Sequence, residues 1–159
     1  MFNEQSYRAS IWAIIIDNSF NFLFVKLASE KWDRYDFVKW WMNKWENELE
    51  TLNREIWEEL GTNIQYNVLK KSTWYFVYDW SLELQKNKWF RWQIRQNYWV
   101  LYKERELNLG LRELSEYKWV SGNNVSSELI RWGYPEIEIL RFMDDYKNIK
   151  ESIINKLKQ

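Results

Sequence analysis

The sequence predicts an α/β fold, an α/β/α sandwich around a mixed β-sheet, in a single domain covering residues 1–159. Three observations predict it. Short runs rich in β-branched and aromatic residues recur between Ile11 and Val120. One amphipathic helical segment, Asn47 to Leu60, falls among those runs rather than after them. A second, longer helical segment follows the last run. A sheet flanked in this way buries both faces against helices, and 159 residues suffice for a sizeable core.

Each element has its own local signal. Met1 to Gln5 reads as a short tail. Ile11–Asp17 and Phe20–Leu27 are strands, with Asn18 and Ser19 as a hairpin-like turn. Tyr35–Val38 is a short strand that delivers the chain into a loop at Trp40. In the segment Asn47–Leu60, Leu49, Leu52, Ile56 and Leu60 recur at helical spacing, and Gly61 suits the position just past a helix end. Ile64–Leu69, Thr73–Trp80 and Phe90–Tyr102 read as strands, with Ser81–Asn87 as a polar connection. Glu113–Val120 is the last strand and Asn124–Ile130 a short helix. Pro135 fits the first turn of the C-terminal helix, whose buried stripe is expected at Ile137, Leu140, Met143, Ile149, Ile153 and Leu157.

Composition narrows the chemistry. Twenty-three basic and 23 acidic residues balance, so no global field points to nucleic acid or to a membrane surface. The chain has no cysteine, which excludes a disulfide framework and thiolate metal sites and is compatible with a reducing cytoplasm. It has no histidine, so proton transfer falls to carboxylates, lysine, tyrosine or metal-bound water. No basic and apolar leader and no apolar run near ~20 residues is present, so neither a signal peptide nor a membrane span is expected. No segment calls for an obligate protein partner.

The segment Arg54-Glu55-Ile56-Trp57-Glu58-Glu59-Leu60-Gly61 concentrates charge. At ~100° per residue, Glu55, Glu58 and Glu59 share an arc of roughly 100° beside the apolar stripe. Carboxylates that close repel unless a cation sits among them. A solvated acidic face is one reading; against it, the acids lack the i,i+4 lysines that usually support such a face. A hard divalent cation such as Mg²⁺ is the other.

The stretch Trp40 to Thr62 resembles a Nudix box, G-x5-E-x7-R-E-U-x-E-E-x-G-U with U a bulky apolar residue. Glu46, Arg54, Glu55, Ile56, Glu58, Glu59 and Gly61 stand in register. The resemblance implies the Nudix fold and the hydrolysis of nucleoside diphosphates linked to another group. It implies Glu55, Glu58 and Glu59 as Mg²⁺ ligands (Mn²⁺ as a substitute), Glu46 as a further ligand or a partner of one, and Glu58 as a catalytic group. Arg54 is expected to orient a glutamate. Glu113, in Glu113-Leu114-Ser115-Glu116, resembles a late glutamate of bacterial RNA pyrophosphohydrolases that would be an extra ligand or general base; Glu116 is the fallback and a plain surface glutamate the alternative.

Substrate marks point to the same branch. Tyr7-Arg8 resembles its opening strand, and Phe90-Arg91-Trp92-Gln93 its RGQ segment, although Gln93 and Gln96 are one residue further apart than in the family. Arg8 is a candidate clamp for a terminal phosphate, Lys39 a candidate phosphate contact, and Lys86, Lys88, Arg91 and Arg95 a candidate backbone track. Trp99 is a further mark of that branch, and Trp74, Tyr75 and Tyr78 are either base-stacking platforms or sheet packing. The expected substrates are RNA 5′-triphosphate ends or dinucleoside polyphosphates. Small nucleotides such as oxidised dNTPs or nucleotide sugars are the alternative, with a catalytically inactive binding module as the non-enzyme reading.

Glycine is where the resemblance departs. The chain holds 13 Trp and 4 Gly, whereas glycine ordinarily makes up ~7% of residues. Trp12, Trp40, Trp41, Trp45 and Trp92 occupy positions where the resemblance places glycine. A loop that approaches a phosphate wants glycine, because positive φ is costly for a bulky residue. These five, with Trp32 and Trp57 as further candidates, are expected to be UGA codons read as glycine. The rival is a divergent chain with genuine tryptophans.

Overall fold

The computed structural model describes residues 8–31, 33–61, 65–79, 81–83, 92–103, 107, 109 and 114–159, without the side chains of residues 78, 79 and 92. A six-stranded mixed sheet is built from β1 (Arg8–Asp17), β2 (Asn21–Leu27), β3 (Val38–Trp41), β4 (Tyr66–Asp79), β5 (Trp92–Tyr102) and β6 (Leu114–Ser121). Helices α1 (Glu48–Leu60), α2 (Val125–Arg131) and α3 (Glu136–Leu157) complete it. The strand order is β4-β5-β1-β2-β6, with β3 also paired to β1. β1 and β5 run parallel from Arg8↔Gln93 to Asp17↔Tyr102, and the remaining pairs are antiparallel. The other edge of β1 is shared, with β3 along Ser10–Ala13 and β2 meeting it at Ile16↔Phe22.

That central position explains why β1 reads as a continuous apolar run. Successive side chains point to opposite faces, and both faces are buried. Ile11, Ala13 and Ile15 join Leu52, Ile56 and Leu60 of α1 in one core. Trp12, Ile14 and Ile16 join Leu129 of α2 and Ile139, Phe142 and Tyr146 of α3 in the other. The expected α/β/α layering is present.

α1 begins where its first turn is chemically closed. Asn47 accepts from the Glu50 amide at 2.9 Å, and Glu50 accepts from the Asn47 amide at 2.9 Å, a reciprocal capping box. Asn47→Ala is expected to lower unfolding free energy by about 1 kcal/mol in urea denaturation. Gly61 ends the helix with φ 117, a conformation that favours glycine, and donates to the Trp57 carbonyl at 3.2 Å. Leu49 stays half-exposed, because the arc from Thr51 to Leu60 faces the sheet and buries Thr51 and Glu59 instead.

Several expected boundaries shift. The chain does not enter a loop at Trp40: β3 carries both Trp40 and Trp41 as strand residues against Ile11 and Ser10, and the loop starts at Met42. Neither tryptophan has positive φ; among described non-glycine residues only Phe20 does. Phe20 therefore belongs to the turn before β2 rather than to the strand. The two strands expected over Ile64–Leu69 and Thr73–Trp80 are one, β4, with irregular register between Val68 and Lys70 and between Lys71 and Tyr75. On α3 the buried stripe is Ile139, Phe142, Tyr146 and Ile149, whereas Ile137, Leu140 and Leu157 are exposed. Two apolar series overlap in that helix. The one that docks carries the aromatics: Phe142 stacks on Trp99 at 5.2 Å and Tyr146 meets Phe22 edge-on at 4.9 Å. Among the described residues no helix is long and apolar enough to cross a membrane.

Candidate active site

The capping box and the apolar stripe fix the rotation of α1, and that rotation decides where its acids point. Arg54 is their centre. Its Nε donates to Glu46 Oε1 at 2.5 Å and its Nη2 to Glu46 Oε2 at 2.8 Å, a bidentate pair. Its Nη1 donates to Glu55 Oε1 at 2.5 Å and reaches Glu58 Oε2 at 3.4 Å. Glu46 also accepts from Thr51 Oγ1 at 3.0 Å, which ties the loop before α1 to the helix. Hydrogen bonds from Arg54 hold the Glu46 carboxyl down at about 2, despite an opposing effect of burial. A depressed folded-state pKa stabilises above the ordinary carboxylate range and is lost as pH falls through about 2. Between pH 5 and pH 2, the melting temperature is therefore expected to fall more steeply for this chain than for Glu46→Gln.

Two adjoining recesses open beside this cluster. The larger, about 500 Å³, is lined by Ser10, Trp12, Leu27, Lys39, Trp40, Trp41, Asn43, Glu55 and Gln93. The smaller, about 150 Å³, shares Leu27 and Lys39 and has Glu59, Asp36 and Arg34 in its wall. Glu55 and Glu59, one helical turn apart, thus border one recess each. Glu58 lies at the solvent side with 61% of its side chain exposed. Lys39 is held by Asp36 at 2.6 Å and lies 4.8 Å from the centre of the Trp12 ring. Arg8 lies over the Trp41 ring at 4.1 Å, at the mouth formed by β1 and β3.

Of the four acids expected at a metal ion, Glu46, Glu55 and Glu58 meet Arg54, and Glu59 borders the smaller recess. Among the described residues no three potential ligands surround one cation-sized position. A planar guanidinium with five donors takes Glu46 on one edge and Glu55 on another, which draws those carboxylates to it. Arg54 meets three of these carboxylates, Arg34 and Lys39 share the wall of the smaller recess with Glu59, and Lys39 is engaged by Asp36. Hard oxygen donors beside an open recess fit a divalent cation chemically.

Other expected site residues fall elsewhere. Glu113 and Arg91 lie outside the described residues, as do Tyr7, Trp32, Lys86, Lys88 and the side chains of Tyr78 and Trp92. Glu116 is on the opposite sheet face from α1, accepting from Tyr35 Oη at 2.9 Å and pairing with Lys26 at 3.3 Å. The irregularity between Lys26 and Leu27 lets Leu114 face α1 while Glu116 faces away. Arg95 cannot track a nucleic-acid backbone. It is buried on central strand β5, paired with Glu138 at 3.0 Å and stacked between Trp12 and Phe76 at 3.9 and 4.1 Å. Trp99 is core. Gln93 lines the larger recess, donating to Ser10 Oγ at 2.8 Å, whereas Gln96 is buried against the Ser72 carbonyl.

Asp36 was not legible as a site residue. It accepts from the Tyr134 hydroxyl and from Lys39, joining the start of α3 to the recess. Burial first, and then the Asp36 charge, push the Tyr134 hydroxyl well above its ordinary range. Its i,i+3 spacing to Lys39 was the only local signal.

No family model matches the sequence and no curated protein matches it. The fold is nonetheless that of Nudix hydrolases. It superposes on a Nudix hydrolase from Nitrosomonas europaea with TM-score 0.61 and 13% identity, over 90% of each chain. A MutT protein from Methanosarcina mazei Go1 gives TM-score 0.58 and 19% identity, over 94% of this chain and 96% of that one. The dihydroneopterin triphosphate pyrophosphohydrolase of E. coli gives TM-score 0.58 and 14% identity, over 76% of this chain and 86% of that one.

Proposed function

We propose that this Nudix-fold chain is a divalent-cation-dependent pyrophosphohydrolase acting on RNA 5′-triphosphate ends or dinucleoside polyphosphates. The observation that carries the proposal is the placement of Glu55 and Lys39 in the wall of one recess, backed by the Arg54-centred carboxylate cluster. Glu55, Glu58 and Glu59 would hold Mg²⁺, with Glu46 in support and Mn²⁺ as a substitute, and the ion would supply neutralisation of pyrophosphate charge and a more acidic water. Phosphoryl transfer needs mainly positioning from the protein. Water attacks phosphorus, the anhydride P–O bond breaks with its electron pair on the leaving phosphate, and Glu58 takes the water proton. Arg54 keeps Glu46 and Glu55 in place, Lys39 turns from Asp36 to a phosphate oxygen, and Arg8 clamps the terminal phosphate at the mouth. Glu113 remains the candidate to complete the site and Arg91 a further phosphate contact. In this reading the enzyme works in the cytoplasm and needs no obligate protein partner.

The recoding of tryptophan is a second element of the proposal. Trp12 and Trp40 bury indole N–H groups with no hydrogen-bond partner, and Trp45 is 90% exposed. An unmade buried hydrogen bond is unfavourable, and glycine at positions 12 and 40 would remove both donors. Peptide mass spectrometry of native protein is expected to return glycine masses at positions 12, 40, 41, 45 and 92; tryptophan masses there reject it.

Two forms of the protein, with tryptophan or glycine at those five positions, are to be assayed with Mg²⁺ on triphosphorylated RNA and on diadenosine tetraphosphate. Phosphate-product release in the glycine form alone would support hydrolysis and recoding together, and the faster substrate selects the branch. Oxidised dNTPs and a nucleotide sugar run alongside test the small-nucleotide alternative, which the likeness to a dihydroneopterin triphosphate pyrophosphohydrolase favours. Silence on every substrate in both forms leaves the binding module.

A further inference from the structure

On the sheet face away from the carboxylate cluster, α3 runs past the edge of its core and leaves a groove of about 710 Å³ over the starts of β4 and the end of β5. Its floor is aliphatic: Leu69 and Leu101 from the sheet, Ile149 and Ile153 from the helix. Leu69, Leu101 and Ile153 pack against the core from outside and are only partly buried, so the groove continues the core surface outward. Its charged lining consists of Lys70 and Lys156, with no acidic residue among the described lining residues. Asp145 stands behind Lys70 at 3.8 Å and is itself buried, bonded by Ser72 Oγ at 2.6 Å. Even with Asp145 counted, the two lysines leave the rim positive. Lys156 is solvent-exposed near the helix end.

A concave site of this size with an apolar floor, and with Asn18, Asn67, Asn148 and Ser152 also in its lining, has the usual form of a small-molecule pocket. From Asn148 to Leu157 the helix wall extends about 14 Å, at ~1.5 Å per residue. An elongated aliphatic floor under a cationic rim is complementary to one ligand chemistry, an unbranched chain with an anionic head. We infer that this groove binds a free long-chain carboxylate, its chain along Leu69, Leu101, Ile149 and Ile153 and its carboxylate at Lys156, with Lys70 adding to the field. The inference is independent of the hydrolase proposal, since the groove shares no lining residue with either recess.

Isothermal titration of the full chain with octanoate, decanoate and dodecanoate, below micelle formation, tests it. One site per chain is expected, with affinity rising roughly tenfold for each two methylenes added, as full burial of the chain requires. Dodecyltrimethylammonium is expected to bind at least tenfold more weakly than dodecanoate. Lys156→Glu, at an exposed position that does not threaten folding, is expected to weaken dodecanoate at least tenfold, and Ile153→Asp to abolish the chain-length dependence. Absence of saturable binding overturns the inference. So do equal affinities for the anionic and cationic amphiphiles, or binding that ignores both substitutions. Saturation at one decanol per chain with dodecanoate excluded would likewise overturn it by assigning a neutral ligand.

Discussion

Glu58→Gln is expected to lower turnover roughly 10²–10³-fold, the usual consequence of removing one preorganised charged group from a reacting centre. The experiment uses whichever form, tryptophan or glycine at the five positions, turns over substrate. Folding should be indifferent to the change. Glu58 is mostly exposed, and its contact with Arg54 at 3.4 Å is longer than those of Glu46 and Glu55; exposed pairs of this kind contribute little to stability. An unchanged melting temperature with lost turnover would separate chemistry from architecture. Wild-type-like Mg²⁺-dependent rates in the variant would remove Glu58 from the mechanism. Glu55→Gln is a useful companion because the same residue also anchors Arg54 at 2.5 Å. It is expected to lower both turnover and stability, so only Glu58 isolates the chemical role.

The largest stability effect is expected at Arg95. Its side chain is 3% exposed and that of Glu138 8%, so neither charge has water to fall back on. Arg95→Met leaves Glu138 buried without its cation, which typically costs about 3–5 kcal/mol. For a chain of this length that corresponds to a fall in melting temperature of roughly 10 °C. The ring of Phe76, and in the tryptophan form the indole of Trp12, also lose the guanidinium beside them. The double variant Arg95→Met/Glu138→Leu is expected to recover most of the loss, because the desolvation of both ions disappears with them. Thermal unfolding of the single and double variants measures this. A single variant as stable as the parent, or a double variant no better than the single, would show that the pair does not act as a buried unit.

What the sequence determined by itself was whatever repeats within one element. A continuous apolar run made β1 a strand buried on both faces, the Leu52–Ile56–Leu60 spacing made α1 a helix, and Gly61 marked its end. The order of those elements carried the layered fold. The gathering of Glu55, Glu58 and Glu59 on one side of α1 also follows from helical spacing alone.

Only the tertiary structure decided which partners those side chains meet. Arg54 gathers Glu46 and Glu55 because the loop before α1 folds back on it, a contact that helix periodicity does not contain. Arg95 looked like a surface cation beside Gln93, yet strand order put it under α3 opposite Glu138. Lys39 and Asp36 became a pair facing the recess because β3 docks on the half of β1 that β2 leaves open. On α3, two apolar series competed, and packing chose the one bearing Phe142 and Tyr146, since their rings fill the space above Phe22 and Trp99. Local propensity fixes an element and its faces; burial depends on what the rest of the chain brings against each face, and that is a property of the assembled sheet.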